Sequence, residues 1–157
     1  MKYFGKYSIC FLLAMIIAYQ AIMAATAVAA PSTKEKKLLR LVNDVRADAG
    51  LRHLKWGKRL AVAAKRHSRD MIDRGYFAHV TPEGTNLLDR LYVSRVKSWT
   101  FAGENLAGAA TPRTALNLWM ESPTHRAIIL DPSFKRTGIG IIKGGPYKLM
   151  ITMDVAD

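Results

Sequence analysis

The spacing of apolar and polar positions along this chain changes several times, and each change marks an element. In "PSTKEKKLLRLVNDVRADAGL", Leu38, Leu41, Val42, Val45 and Ala49 recur at helical spacing. Ser32 with Glu35 three residues on fits a capping box, and Gly50 is a stop, so a first helix is predicted there. The connection "LRHLKWG" follows. A second helix is predicted from Lys58 to Arg74, with Leu60, Ala63, Ala64, His67 and Met71 on one face and Lys58, Lys65, Arg66, Arg69 and Asp73 on the other; Gly75 closes it. Both stripes require an apolar cover.

Beyond Gly75 the periods shorten. "YFAHVTPEGTNLLDRL" turns at Pro82 to Gly84 and resumes as a short helix through Leu87, Leu88 and Leu91, whereas "SWTFAGENLA" is strand-like by its aromatic and Thr content. Thr111-Pro112 is an N-cap and N1 pair that starts a helix through Ala115, Leu116 and Trp119. Ser122-Pro123 repeats the signal, so "SPTHRAIIL" is predicted to be a new helical turn. The tail, "TGIGIIKGGPYKLMITMDV", reads as a hairpin around Gly144-Gly145-Pro146.

The first 29 residues follow a different pattern. Lys2 and Lys6 precede the apolar run "ICFLLAMIIAY", and small residues lead to Ala27-Val28-Ala29, the order of a secretory signal peptide. Residues 1–29 are therefore expected to be a leader, cut before Ala30, with the alternative of an uncleaved anchor because the apolar halves together have the length of a bilayer span. Residues 30–157 are expected to form a single domain. Cys10, the only cysteine, lies in the leader, so the mature domain is expected to be cysteine-free, with no disulfide to help its core. The expected location is secreted, extracellular or periplasmic, with membrane attachment only if the leader is retained.

Charge narrows the partners. The chain has 24 Lys+Arg against 12 Asp+Glu; without Lys2 and Lys6 the count is 22 against 12, a net charge of +10. Such a surface attracts anionic material, which for an exported protein means envelope polymer, lipid head group or glycan. No zinc finger, RNP-like strand or basic zipper accompanies the charge, so specific nucleic-acid binding is not expected. A solvated basic face that only keeps the protein soluble is the alternative.

The candidate chemistry begins with Glu104, set in "FAGENLA" among small and apolar residues. A buried carboxylate needs a partner. His79 in "FAHVTPEG" and His125 in "SPTHR" occupy turn-rich segments whose side chains can converge on a site, unlike His53 in a basic connection or His67 on the apolar face of a helix. Two imidazoles with Glu104 would make a set that zinc accepts, leaving a position for water; the alternative is that each histidine only hydrogen-bonds within its own loop. No G-x-S-x-G elbow, P-loop or dinucleotide glycine pattern is present, and a cysteine nucleophile is excluded from the mature chain. Metal-assisted or acid/base chemistry remains, or binding without chemistry.

Taken together, "NDVRADAGL", "AAKRHSRDM", "YFAHVTPEG", "AGENLA", "WMESPTHR" and "GIGI" resemble the CAP superfamily (cysteine-rich secretory proteins, antigen 5 and pathogenesis-related 1), in its bacterial, cysteine-free SCP-domain branch. The resemblance implies an α+β fold: an α-β-α three-layer sandwich with a small, mainly antiparallel sheet between helices. It also implies a cleft lined by two histidines and two acids, with His79 and His125 in the histidine positions and Glu104 in the first acid position. In some members the paired histidines bind zinc or another divalent metal. The fourth position departs from the animal and plant pattern: three residues after Trp119 stands Ser122, with Glu121 one residue short. On a continuing helix Ser122 lies about 60° from Trp119 and Glu121 about 200°, which favours Ser122, although Pro123 interrupts the helix and leaves Glu121 a route inward.

Two functions follow from these expectations. In one, the cleft is a binding module for an envelope, lipid or glycan ligand, with a metal as a structural or affinity element. In the other, His79 and His125 hold the ion of a metal-assisted hydrolase, Glu104 orients or deprotonates a water, and the substrate is envelope polymer or peptide.

Overall fold

The computed structural model describes residues 30–157, so the expected leader and its Cys10 lie outside the described residues. The described chain runs through α1 (Thr33–Asp48), β1 (Lys55–Trp56), α2 (Lys58–Asp73), α3 (Leu87–Val93), β2 (Ala102–Ala109), α4 (Pro112–Glu121), α5 (Pro123–Leu130), β3 (Arg136–Lys143) and β4 (Leu149–Ala156). The helix starts have local causes. Ser32 and Glu35 cap α1 reciprocally, as their spacing predicts, and Thr111 accepts the amide of Thr114 while Pro112 opens α4. Asn86 does the same for α3 through the amides of Leu88 and Asp89.

The strands form one sheet in the order β1-β3-β4-β2. The central β4 is antiparallel to both neighbours, and β1 joins the edge of β3 in parallel, so the sheet is mixed and mainly antiparallel. Alternation along β4 serves both faces. Ile151, Met153 and Val155 join Leu38, Leu41, Trp119 and Ile129 in the larger core under α1, α4 and α5. On the other face Met150 packs with Met71, and Ala156 with Leu60 and Leu91, under α2 and α3. This is the expected α-β-α sandwich. Each large apolar side chain buried in it contributes roughly 1.5–3 kcal/mol.

Two glycines set how closely α2 approaches the sheet. A Cβ on Gly138 would stand 1.9 Å from the Ala61 nitrogen, and one on Gly140 would stand 2.3 Å from the Lys65 nitrogen. The helix backbone therefore rests on the strand backbone, and Ser68 reaches Gly140 O at 3.1 Å and Thr152 Oγ1 at 2.8 Å. This contact carries His67 down to the sheet surface. On the opposite side the buried Arg46 donates to the carbonyls of Arg52, Ile129, Asp131 and Phe134, tying α1 to the segment between α5 and β3.

Two details differ from the sequence expectations. The strand predicted over "SWTFAGENLA" begins only at Ala102, because the amides of Thr100 and Phe101 donate to the Asp157 side chain instead of a neighbouring strand. Trp99 packs with the Leu60 and Leu91 cluster. The connection "LRHLKWG" hides β1, whose two residues are too few to show a period; Asn43 fixes it by bonding both the amide and the carbonyl of Leu54.

Candidate functional site

Glu104 lies in β2 directly opposite Asp154 of β4, on the face turned to α2. Its side chain is 3% exposed. One oxygen, Oε1, accepts from His79 Nδ1 at 2.8 Å, and the other, Oε2, accepts from Arg90 Nη2 at 2.6 Å. His67 Nε2 lies 3.9 Å from Oε2 and is bonded to Ala78 O at 3.0 Å. Burial pushes the Glu104 carboxyl upward, but the His79 hydrogen bond and the Arg90 charge, with His67, outweigh it and leave it below the ordinary glutamate range. Glu104 is thus a fixed anion with both oxygens engaged.

Arg90 does more than neutralise that charge. Its Nη1 donates to His79 O at 2.9 Å and to Thr85 O at 3.3 Å, so one guanidinium holds both Glu104 and the loop that carries His79. The imidazole of His79 is 55% exposed. With Nδ1–H donated to Glu104, Nε2 is the ring nitrogen without a partner, turned away from the carboxylate.

His125 reaches the cleft from the first turn of α5. Ser122 is the N-cap residue there, yet its hydroxyl caps no backbone amide; it bonds His125 Nδ1 at 2.8 Å. Asn105, next to Glu104 but on the opposite face of β2, donates to His125 O at 3.0 Å and fixes the turn against the sheet. Burial, and then the nearby His79, lower the His125 pKa, so this ring is neutral at pH 7 with its own Nε2 available.

The predicted residues therefore fall into distinct places. His79 and Glu104 are in direct contact, and His125 stands close enough to His79 for their charges to interact. Ser122, one of the two candidates for the fourth position, touches His125. Glu121, the last residue of α4, is exposed and makes no ion pair or side-chain hydrogen bond among the described residues. His53 is exposed in the connection before β1, and His67 is a buried wall of the cleft.

The two-histidine, one-carboxylate set needs a correction of geometry. Glu104 bonds the Nδ1 side of His79, away from Nε2, so it backs the imidazole and does not stand beside a shared ion. Among the described residues no three His, Cys, Asp or Glu side chains form a ligand group. The ring nitrogens left without a partner are the two Nε2 atoms, each on a ring oriented by a hydrogen bond at Nδ1, and an imidazole nitrogen is a donor that borderline divalent ions accept.

Three participants escaped the sequence reading in whole or part: Arg90, Asp154 and the close approach of His67. Asp154 is fully buried, and neither carboxyl oxygen has a hydrogen-bond partner. Burial, and then the Glu104 charge, push its pKa well above the ordinary aspartate range, which favours its protonated form. "MITMDVA" carries the same signal as "AGENLA", an acid in an apolar strand, and its pairing with Glu104 required the register.

Residues 39–154 match the family model described as CAP, the cysteine-rich secretory protein family. The chain belongs to the CAP family. YkwD of Bacillus subtilis (strain 168) is 36% identical over 124 residues, which cover 76% of this CAP chain and 48% of YkwD. YlbC of the same organism, described as a membrane protein, is 35% identical over 111 residues, covering 70% of this chain and 32% of YlbC. The CAP chain thus spans about half or less of the length of the curated relatives it matches. Among solved structures, an extracellular protein of Bacillus anthracis that contains an SCP domain superposes with a TM-score of 0.72 at 29% identity, covering 82% of this chain and 45% of that one.

Proposed function

We propose that this CAP domain is a secreted binding module whose cleft takes an envelope ligand, a lipid, a glycan or an anionic polymer, with a divalent metal at His79 and His125. The observation that carries the binding reading is the state of Glu104. A general base needs a free oxygen and a pKa near the working pH. Glu104 has both oxygens engaged and a lowered pKa, which suits it to orienting His79 and not to taking a proton from water. Asp154 is buried beyond the reach of a substrate. The alternative, a metal-assisted hydrolase acting on envelope polymer or peptide, lacks a free carboxylate base on this arrangement.

The Nε2 atoms of His79 and His125 would hold the ion, zinc being well matched to imidazole donors. When bound, it would supply a Lewis-acid point for an oxygen-rich ligand. Ser122 and Glu104 orient the two rings, and Arg90 keeps the His79 loop in place. An extracellular or periplasmic location agrees with the leader pattern of residues 1–29 and with the extracellular relative from Bacillus anthracis. No helix among the described residues is long and apolar enough to cross a membrane.

The deciding experiment titrates zinc into the protein and into His79→Ala and His125→Ala variants by calorimetry. Binding is expected to weaken strongly in both; unchanged affinity in both would remove the metal site. Incubation with purified envelope polymers and peptides then separates the two functions. Retention without turnover is the expected result, and turnover that Glu104→Gln abolishes while the fold persists would establish the hydrolase instead.

A further inference from the structure

A sizeable cavity lies apart from the histidine cleft. It has a volume of about 510 Å³ and lies where the start of α2 meets the loop after α3 and the start of β3. Leu60 at its wall precedes His67 by seven residues of α2, about 10 Å along the axis at 1.5 Å per residue. The charged residues lining this cavity are all basic: Lys58, Arg59, Arg95, Lys97 and Arg136. None of the five forms an ion pair with an acid among the described residues.

The rim is held in place from within the fold. Arg136 donates to the carbonyls of Lys97, Ser98 and Asp157, which fixes a loop where Arg95 and Ser98 both adopt left-handed backbone with φ of 56°. The Asp157 carboxylate is engaged by the amides of Thr100 and Phe101. The side chains of Lys58, Arg59, Arg95 and Lys97 are exposed and make no hydrogen bond or ion pair among the described residues. Four such charges around one concavity repel one another, and a multiply charged anion seated among them relieves that repulsion. Two guanidinium groups add paired donors of the kind that grip oxyanions. The α2 amides at the same wall add to the field, since Gly57 gives that terminus no side-chain cap. The volume exceeds that of a bare ion and is in the range of small-molecule sites.

We infer that the cavity between the start of α2 and the α3–β2 loop is a second binding site, for a phosphate group carried on a small ester or a lipid head group. It uses none of the residues of the histidine cleft, so each site stands or falls separately.

The test follows amide shifts of the protein by NMR during titration with inorganic phosphate and with glycerol 3-phosphate at constant ionic strength. Saturable shifts centred on Lys58 to Leu60 and Val96 to Ser98 are expected, with the ester binding more tightly than the ion. Arg59→Gln with Lys97→Gln is expected to weaken binding about tenfold through the loss of two charge-assisted contacts. Lys34→Gln with Lys37→Gln, an equal charge loss on the exposed face of α1, is expected to change it less than about twofold. Displacement of glycerol 3-phosphate by phosphatidylglycerol vesicles would identify the lipid as the source, and failure to displace it would identify a soluble ester. Equal weakening in the two double variants, shifts scattered over the basic surface, or no saturation with either soluble probe would overturn the site.

Discussion

Glu104 and Asp154 stand side by side across β2 and β4, both buried, the first with its pKa held below the ordinary carboxylate range and the second with its pKa pushed well above it. Two carboxylates in such a place cannot both be charged cheaply. Arg90 and His79 decide which one ionises, because both contact Glu104.

That division predicts opposite pH effects. The folded-state pKa of Asp154 is raised, so its contribution is complete below the ordinary carboxyl range, about pH 4, and is lost as pH rises toward the folded value. Asp154→Asn removes the proton linkage while keeping the shape. The variant is expected to be more stable than the parent at pH 7, with the difference vanishing near pH 3. Urea unfolding across that range measures it, and parallel stability curves would refute it.

Glu104 has the reverse sign. Its folded-state pKa is lowered, so its contribution is complete above about pH 5 and is lost as pH falls through the carboxylate range. Arg90→Met, which strands this buried carboxylate, is expected to cost about 3 kcal/mol or more at pH 7. Adding Glu104→Gln should recover part of the loss in a double-mutant cycle, and strict additivity of the two costs would contradict the coupling.

At the proposed metal site Ser122 would act only through His125, whose Nδ1 it bonds. Ser122→Ala is expected to lower zinc affinity about tenfold without changing thermal stability measurably, whereas Glu121→Ala is expected to leave affinity unchanged. Calorimetric titration compares them. An effect of Glu121→Ala larger than that of Ser122→Ala would move the fourth position to the acid.

Gly140 is required by contact with a backbone, which cannot move aside as a side chain can. Gly140→Ala brings a methyl to 2.3 Å from the Lys65 nitrogen and is expected to cost about 3 kcal/mol by forcing α2 off the sheet. The same substitution should disturb His67, two residues along the helix from Lys65, so its ring resonances provide a second readout. Wild-type stability in this variant would mean that the helix seats more loosely than described.

Much of this protein is determined by local chemistry and is legible in the sequence. The capping box at Ser32 and Glu35, the Thr111-Pro112 and Ser122-Pro123 starts and the Gly-Gly-Pro turn act over a few residues, so their consequences follow from spacing alone. The motifs also single out His79, Glu104, Ser122 and His125, and the alternation of "LMITMDV" implies a strand with two occupied faces. The tertiary structure decided what these residues do to one another. Which oxygen of Glu104 meets which donor, that Arg90 shares it, and that Asp154 lies opposite depend on strand register and on the seating of α2 over Gly138 and Gly140. Those relationships join residues 14 to 50 positions apart in the chain, at distances where a change of a few ångströms separates a hydrogen bond from none.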